Sequence, residues 1–156
     1  MRIRDIMRTA VVSLPQSCTL REVVDAFLKH RLESLPIIDA AERVVGMITI
    51  DHLTEVFLPR YRELLRDLSA LQDKGQIASL FDVSSVGLGR SDEKLILAAD
   101  VMATEMRWIS QEDTLLQAAA RLQDQSAGCL PVVDRDQKLV GTIAHFEIVL
   151  ALLRGH

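Results

Sequence analysis

Apolar residues along the chain fall into short runs and helical stripes that recur in a fixed order. Val11–Leu14 is a short apolar run, and a polar turn follows it and closes at Thr19. Beyond the turn, Leu20, Val23, Val24, Phe27 and Leu28 return at the spacing of an amphipathic helix. Thr19 sits where its hydroxyl would cap the free N–H groups of that helix. Leu35–Asp39 and Val44–Ile50 are β-branched runs parted by a polar turn, which predicts a hairpin opened by Asp39. Pro36 is expected at the start of its strand, where a missing N–H does little harm. A second helix is expected from near Asp51.

The same order then returns. Asp5-Ile6-Met7-Arg8-Thr9 reappears as Asp100-Val101-Met102-Ala103-Thr104, and Leu35-Pro36-Ile37-Ile38-Asp39 as Leu130-Pro131-Val132-Val133-Asp134. Val45-Gly46-Met47-Ile48 reappears as Val140-Gly141-Thr142-Ile143, always at an offset of 95. Residues 4–53 match 99–148 at 12 of 50 positions without a gap, Asp5, Pro36, Asp39 and Gly46 among them. The second copy has its own first run (Arg107–Ile109), cap (Thr114), helical stripe (Leu115, Ala118, Ala119, Leu122) and second helix near Phe146. The unit is β-α-β-β-α, twice, an α/β fold. Each copy leaves an apolar face open, so the two are expected to cover one another about an approximate two-fold. Ile148–Leu153 is more apolar than a solvent-facing helix needs, which predicts a homodimer.

Between the copies, Tyr61, Leu64, Leu65, Leu68 and Leu71 mark one face of a further helix, with Pro59 before it and Gly75 near its end. Gly87 and Gly89 predict a turn before Ser91-Asp92, a cap for a helix running into Asp100. The expected division is a first repeat over 1–58, a helical insertion over 59–93 and a second repeat over 94–156.

Composition narrows the function classes. The 156 residues are 49% hydrophobic and 26% charged, enough for a core that needs no metal or disulfide staple. A net charge of −4 and 4% aromatics argue against a nucleic-acid surface. Cys18 and Cys129 form no pair motif, and no apolar segment reaches the ~20 residues of a membrane span. The expectation is a cytoplasmic protein without membrane insertion. His30, His52, His145 and His156 pair with no Cys or Ser at a triad spacing, and no metal or phosphate-loop motif occurs. Catalysis and a metal centre are not expected.

The series Asp-Ile-Met-x-Thr, Leu-Pro-Ile-Ile-Asp and Val-Gly-Met-Ile-Thr, repeated once, resembles the CBS-domain family. Two such repeats resemble a CBS pair, or Bateman module, over residues 1–58 and 94–153. The resemblance implies a regulatory module that holds AMP, ADP, ATP or S-adenosylmethionine in the cleft between repeats. It further implies a homodimer, no required cofactor, and control of an unidentified protein in trans. The family's strand-to-helix ligand motif is Gly, two apolar residues, Thr or Ser, two variable residues, then Asp. Its carboxylate accepts from the ribose hydroxyls, and its hydroxyl with the helix N–H groups favours phosphate. Here Gly46–His52 keeps Thr49 but places His52 at the acid, whereas Gly141–Glu147 places Ala144 at the hydroxyl and keeps Glu147. By the same resemblance Thr9 and Thr104 border the cleft, and Leu35, Pro36, Leu130 and Pro131 form its apolar wall. Arg8 and Arg107 would neutralise phosphate. Each polar contact also has a purely structural reading: Thr49 as a helix cap, His52 as a surface residue, Glu147 as a partner of the helix dipole. The alternative function is a ligand-free dimerisation or protein-interaction module with a degenerate nucleotide site.

Overall fold

The computed structural model describes residues 1–57, 96–124 and 128–155. The insertion expected over 59–93, with its 61–71 stripe, glycine turn and Ser91-Asp92 cap, lies outside the described residues.

After a 3-10 turn over Ile3–Asp5, the first half runs β1 (Leu14–Pro15), α1 (Leu20–His30), β2 (Ser34–Ile38), β3 (Val44–Thr49) and α2 (Ile50–Phe57). The second runs α3 (Ala98–Val101), β4 (Ile109–Ser110), α4 (Leu115–Gln123), β5 (Cys129–Val133), β6 (Leu139–Ala144) and α5 (His145–Leu153). Each half has a three-stranded sheet, ordered β1-β2-β3 and β4-β5-β6, with the first pair parallel and the second antiparallel. Every paired position in one sheet has its counterpart 95 residues on in the other, including the bulges at Ile37/Ile38 and Val132/Val133.

Local chemistry explains most of these boundaries. Thr19 Oγ1 accepts from Glu22 N at 3.3 Å while the Glu22 carboxylate accepts from Thr19 N at 3.1 Å. Thr114 and Gln117 close the same reciprocal cap on α4. α1 ends where Arg31 turns left-handed at φ 49°. Asp39 Oδ1 accepts from the amides of Ala41 and Arg43, and the Arg43 amide holds this carboxyl below its usual range. Asp134 repeats the turn with Asp136 and Lys138.

Three expectations need correction. The first strands are shorter than the apolar runs that predicted them, because each pairs with two residues of its neighbour only. Val11 and Val12 instead border a cleft. Leu28 is exposed, since α1 turns Leu20, Val23 and Phe27 inward. Pro36 and Pro131 stand in mid-strand, not at its start. β1 and β4 stop short of them, so the missing N–H breaks no ladder.

The two halves are interlocked. Ile3 is buried in the core of the second half, among Ile109, Ala118, Leu122, Leu130 and Ile143, with Ile6 and Met7 beside it. Reciprocally, Ala98 is buried in the first half's core with Leu20, Val23, Leu35 and Ile48, flanked by Val101 and Met102. Paired backbone hydrogen bonds join Arg8 to Thr142 and Ala103 to Met47, at 2.9–3.0 Å. Met7 lies over Gly141 and Met102 over Gly46: a Cβ at Gly141 would sit 2.7 Å from the Arg8 carbonyl, and one at Gly46 2.8 Å from Met102 Cγ. This close approach is why the Val-Gly motif has glycine.

Two contacts join positions that are their own equivalents under the 95-residue offset. Arg43 bridges Lys138, and the Ser34 hydroxyl shares a hydrogen bond with the Cys129 thiol at 2.9 Å. These contacts mark the pseudo-two-fold axis.

Candidate functional site

A cleft of about 430 Å³ opens where the halves meet. Its first wall is Arg8, Ala10, Val11 and Val12 together with the α1–β2 turn and Pro36. Its second wall is Gly128 and Cys129 on entry to β5, Thr142 and Ala144 on β6, and Glu147 in the first turn of α5. Strand alternation decides which residues face it. Ser34 and Pro36 line the cleft, and Leu35 between them points the other way.

The buried charge of the cleft is Glu147, 8% exposed. One carboxylate oxygen accepts from the Ala144 amide at 2.9 Å and so caps α5, where Ala144 has no side-chain oxygen to offer. The other accepts from Arg8 Nε, and the Arg8 side chain remains 61% exposed. The ion pair spans 139 residues of sequence and ties the N-terminal segment to α5. Burial pushes the Cys129 thiol pKa up, against the lowering contribution of the Ser34 hydroxyl. The Cys18 thiol is raised to about 11, again chiefly by burial.

The opposite side of the axis has different chemistry. Thr49 Oγ1 accepts from His52 N at 3.3 Å, and His52 Nδ1 accepts from Thr49 N at 3.2 Å. The pair closes a reciprocal cap on α2. Arg107 pairs with Asp124 at 2.9 Å.

The residues expected to contact a ligand are therefore dispersed. Arg8, Pro36 and Glu147 meet in the cleft. Thr9 borders an adjoining hollow of about 180 Å³ with Ser13 and Glu42. Thr49, His52, Thr104 and Arg107 do not line this cleft, and three of them are engaged in local contacts. Leu35 and Leu130 are wholly buried in the two cores, so they underlie the cleft and do not wall it. Pro131, also buried, lies outside it. Arg8 and Glu147, read separately as phosphate and ribose contacts, pair with each other. Ser34 and Cys129 were not among the expected residues. Their signal was present in the sequence, since positions separated by the repeat offset can meet on a two-fold axis.

Among the described residues, no cluster of His, Cys, Asp and Glu could hold a metal ion. No helix among them is long and apolar enough to cross a membrane.

The CBS domain family profile matches residues 3–59 and 98–154. CBSX2 from Arabidopsis thaliana, in complex with AMP, superposes with a TM-score of 0.69 at 21% identity, covering 98% of this chain and 96% of that one. The CBS pair of MJ0100, in complex with 5-methylthioadenosine and S-adenosyl-L-methionine, gives 0.65 at 15% identity, covering 100% and 98%. A homoserine O-acetyltransferase from Methanosphaera stadtmanae is 19% identical over 94% of this chain, which spans 23% of that relative's length.

Proposed function

The chain belongs to the CBS domain family, and from that premise we propose that it is a regulatory CBS pair that takes an adenosine-containing ligand in the cleft between its halves and thereby modulates a partner protein. The observation that carries this reading is the cleft itself. Its walls come from both halves, so a bound ligand touches both at once. Such a ligand reweights two arrangements of the halves by its difference in affinity for them. The volume of about 430 Å³ falls in the range that encloses small organic ligands. AMP, 5-methylthioadenosine and S-adenosylmethionine in the similar structures supply the ligand class. The role is regulatory and not catalytic in this reading, and the chain spans only 23% of the length of the acetyltransferase it resembles.

Thermal melting with millimolar AMP, ADP, ATP and S-adenosylmethionine tests the reading. At a hundred times its dissociation constant a ligand adds about 2.7 kcal/mol of stability. No shift with any of the four removes the adenosine reading.

A second reading has its own observation. Phe146, Val149, Leu152 and Leu153 stand exposed along α5. Four large apolar side chains on one short helix suit a homodimer interface. In that reading the chain is a dimerisation module indifferent to nucleotides. Light scattering that gives a dimer mass, unchanged by any of the four ligands, selects it.

A further inference from the structure

We propose that Met7 and Met102 form a paired oxidation site, at which a hydroperoxide converts the two thioethers to sulfoxides and loosens the seam between the halves. The two residues are equivalents under the 95-residue offset, whereas Met1, Met47 and Met106 have no methionine as counterpart. Each lies on a segment that crosses to the other half and presses on a glycine there. A methyl group at 141 would stand 2.7 Å from Met7 Sδ, and at Gly46 both Sδ and Cγ of Met102 fill the space. Both side chains are only partly buried against the cores they flank. Met7 also lines a hollow of about 490 Å³ beside α5, with Ile6, Leu150 and Ala151. A small oxidant reaches its thioether there without unfolding the chain. Met47 is the internal contrast, on the same seam but 2% exposed.

The step balances with the peroxide as its co-reactant. A sulfur lone pair attacks one peroxide oxygen, the S–O bond forms as the O–O bond breaks, and the sulfur loses two electrons. The second oxygen takes them and leaves, with the proton of the transferred oxygen, as water or an alcohol. The product is polar and pyramidal in a seam that is apolar and closed. On the glycine side the new oxygen has no room, and on the hollow side it meets the apolar side chains of Ile6, Leu150 and Ala151. The disturbance passes directly to the joint. The residue after each methionine carries the paired backbone bonds between the halves, Arg8 with Thr142 and Ala103 with Met47. Arg8 also holds Glu147, so loosening at Met7 reaches the cleft. None of this depends on which ligand the cleft takes.

The test is peptide mapping by mass spectrometry and thermal melting of the full chain after millimolar hydrogen peroxide. Dithiothreitol added afterwards reverses disulfides and sulfenates of Cys18 and Cys129 but leaves sulfoxides in place. Met7 and Met102 should each gain one oxygen while Met47 stays a thioether. The melting temperature should fall by at least about 2–4 °C. Hydrogen exchange should quicken at the amides of Arg8, Thr142, Met47 and Ala103, which close the joint. Methionine sulfoxide reductases A and B together should restore both readouts, since each enzyme acts on one epimer. The double variant Met7→Leu/Met102→Leu keeps the seam's volume and apolar character. It should melt close to the unaltered protein and lose the peroxide response, although exposed Met1 is still oxidised. A fall in melting that the double variant retains, or that the reductases leave in place, overturns the proposal. Full oxidation of Met7 and Met102 without change in melting or exchange also overturns it. So does peroxide that oxidises Met1 and leaves both seam methionines as thioethers. The reductase arm uses the unaltered chain, so it decides even where the double variant does not fold.

Discussion

The first turns of α2 and α5 occupy equivalent places in the two halves and solve the same problem with opposite residues. Each helix begins directly after a strand, with amide N–H groups that need acceptors. At α2 the hydroxyl of Thr49 and the imidazole of His52 supply them, and both contacts stay within the helix entry. At α5, Ala144 supplies nothing and Glu147 caps alone, which leaves its second oxygen to recruit Arg8 from the other half. The counterpart of Arg8 across the axis is Ala103, so the first half has no such pair. The comparison teaches that duplication preserved the backbone while the polar chemistry at the helix entries diverged. One side is finished by its own caps. The other carries an ion pair on an open cleft.

The comparison can first be tested at its conserved part. Leu35 and Leu130 are equivalent, wholly buried, and one in each core. Truncation of either to Ala should cost about 2–5 kcal/mol. Because each half buries a segment from the other, both variants should still unfold in a single transition, read by circular dichroism in urea. A biphasic curve would show halves that stand independently, and the interlock would lose its energetic meaning.

The glycine seams differ more finely. Alanine at 141 would press against the Arg8 carbonyl, which is pinned in the backbone ladder. Alanine at 46 would press first against the Met102 side chain, which can move aside. Gly141→Ala should therefore cost about 1–3 kcal/mol, and Gly46→Ala about 1 kcal/mol or less. Urea midpoints decide this, and equal or reversed costs would contradict the seam as described.

The caps give the smallest effects and the sharpest contrast. Thr49→Ala should lose about 1 kcal/mol. Ala144→Thr should gain up to about 1 kcal/mol by adding the hydroxyl that α5 lacks. For a chain of this size the melting shifts are about 2–4 °C in opposite directions. A neutral or destabilising Ala144→Thr would mean that Glu147 already satisfies this helix end.

What was legible in the sequence was local. Thr19, Thr114, Asp39 and Asp134 act within four residues of themselves, and their roles follow from that short reach. The repeat also placed both sheets, since one offset fixes every register. Thr49 and His52 belong to this local class too, as a pair three residues apart, although the motif also invites a ligand reading. What was not legible depends on distant partners. The burial of Ile3 and Ala98 in opposite cores comes from segments that cross between halves, and no local pattern reports a crossing. Alternation along β2 separates Leu35 from Pro36 but does not say which of the two faces the cleft. The Arg8–Glu147 pair needs both the crossing and the α5 cap, so it becomes visible only in three dimensions.

The Ser34–Cys129 contact has a consequence for ancestry. In an assembly of two identical polypeptides, whatever side chain lies on the symmetry axis must meet its own twin. Two thiols there would invite oxidative closure, and two hydroxyls would forgo a polarisable sulfur. Fusing the copies into one gene lifts that restriction, because each side of the axis can then mutate alone. A serine facing a cysteine is an arrangement that only the fused form can encode.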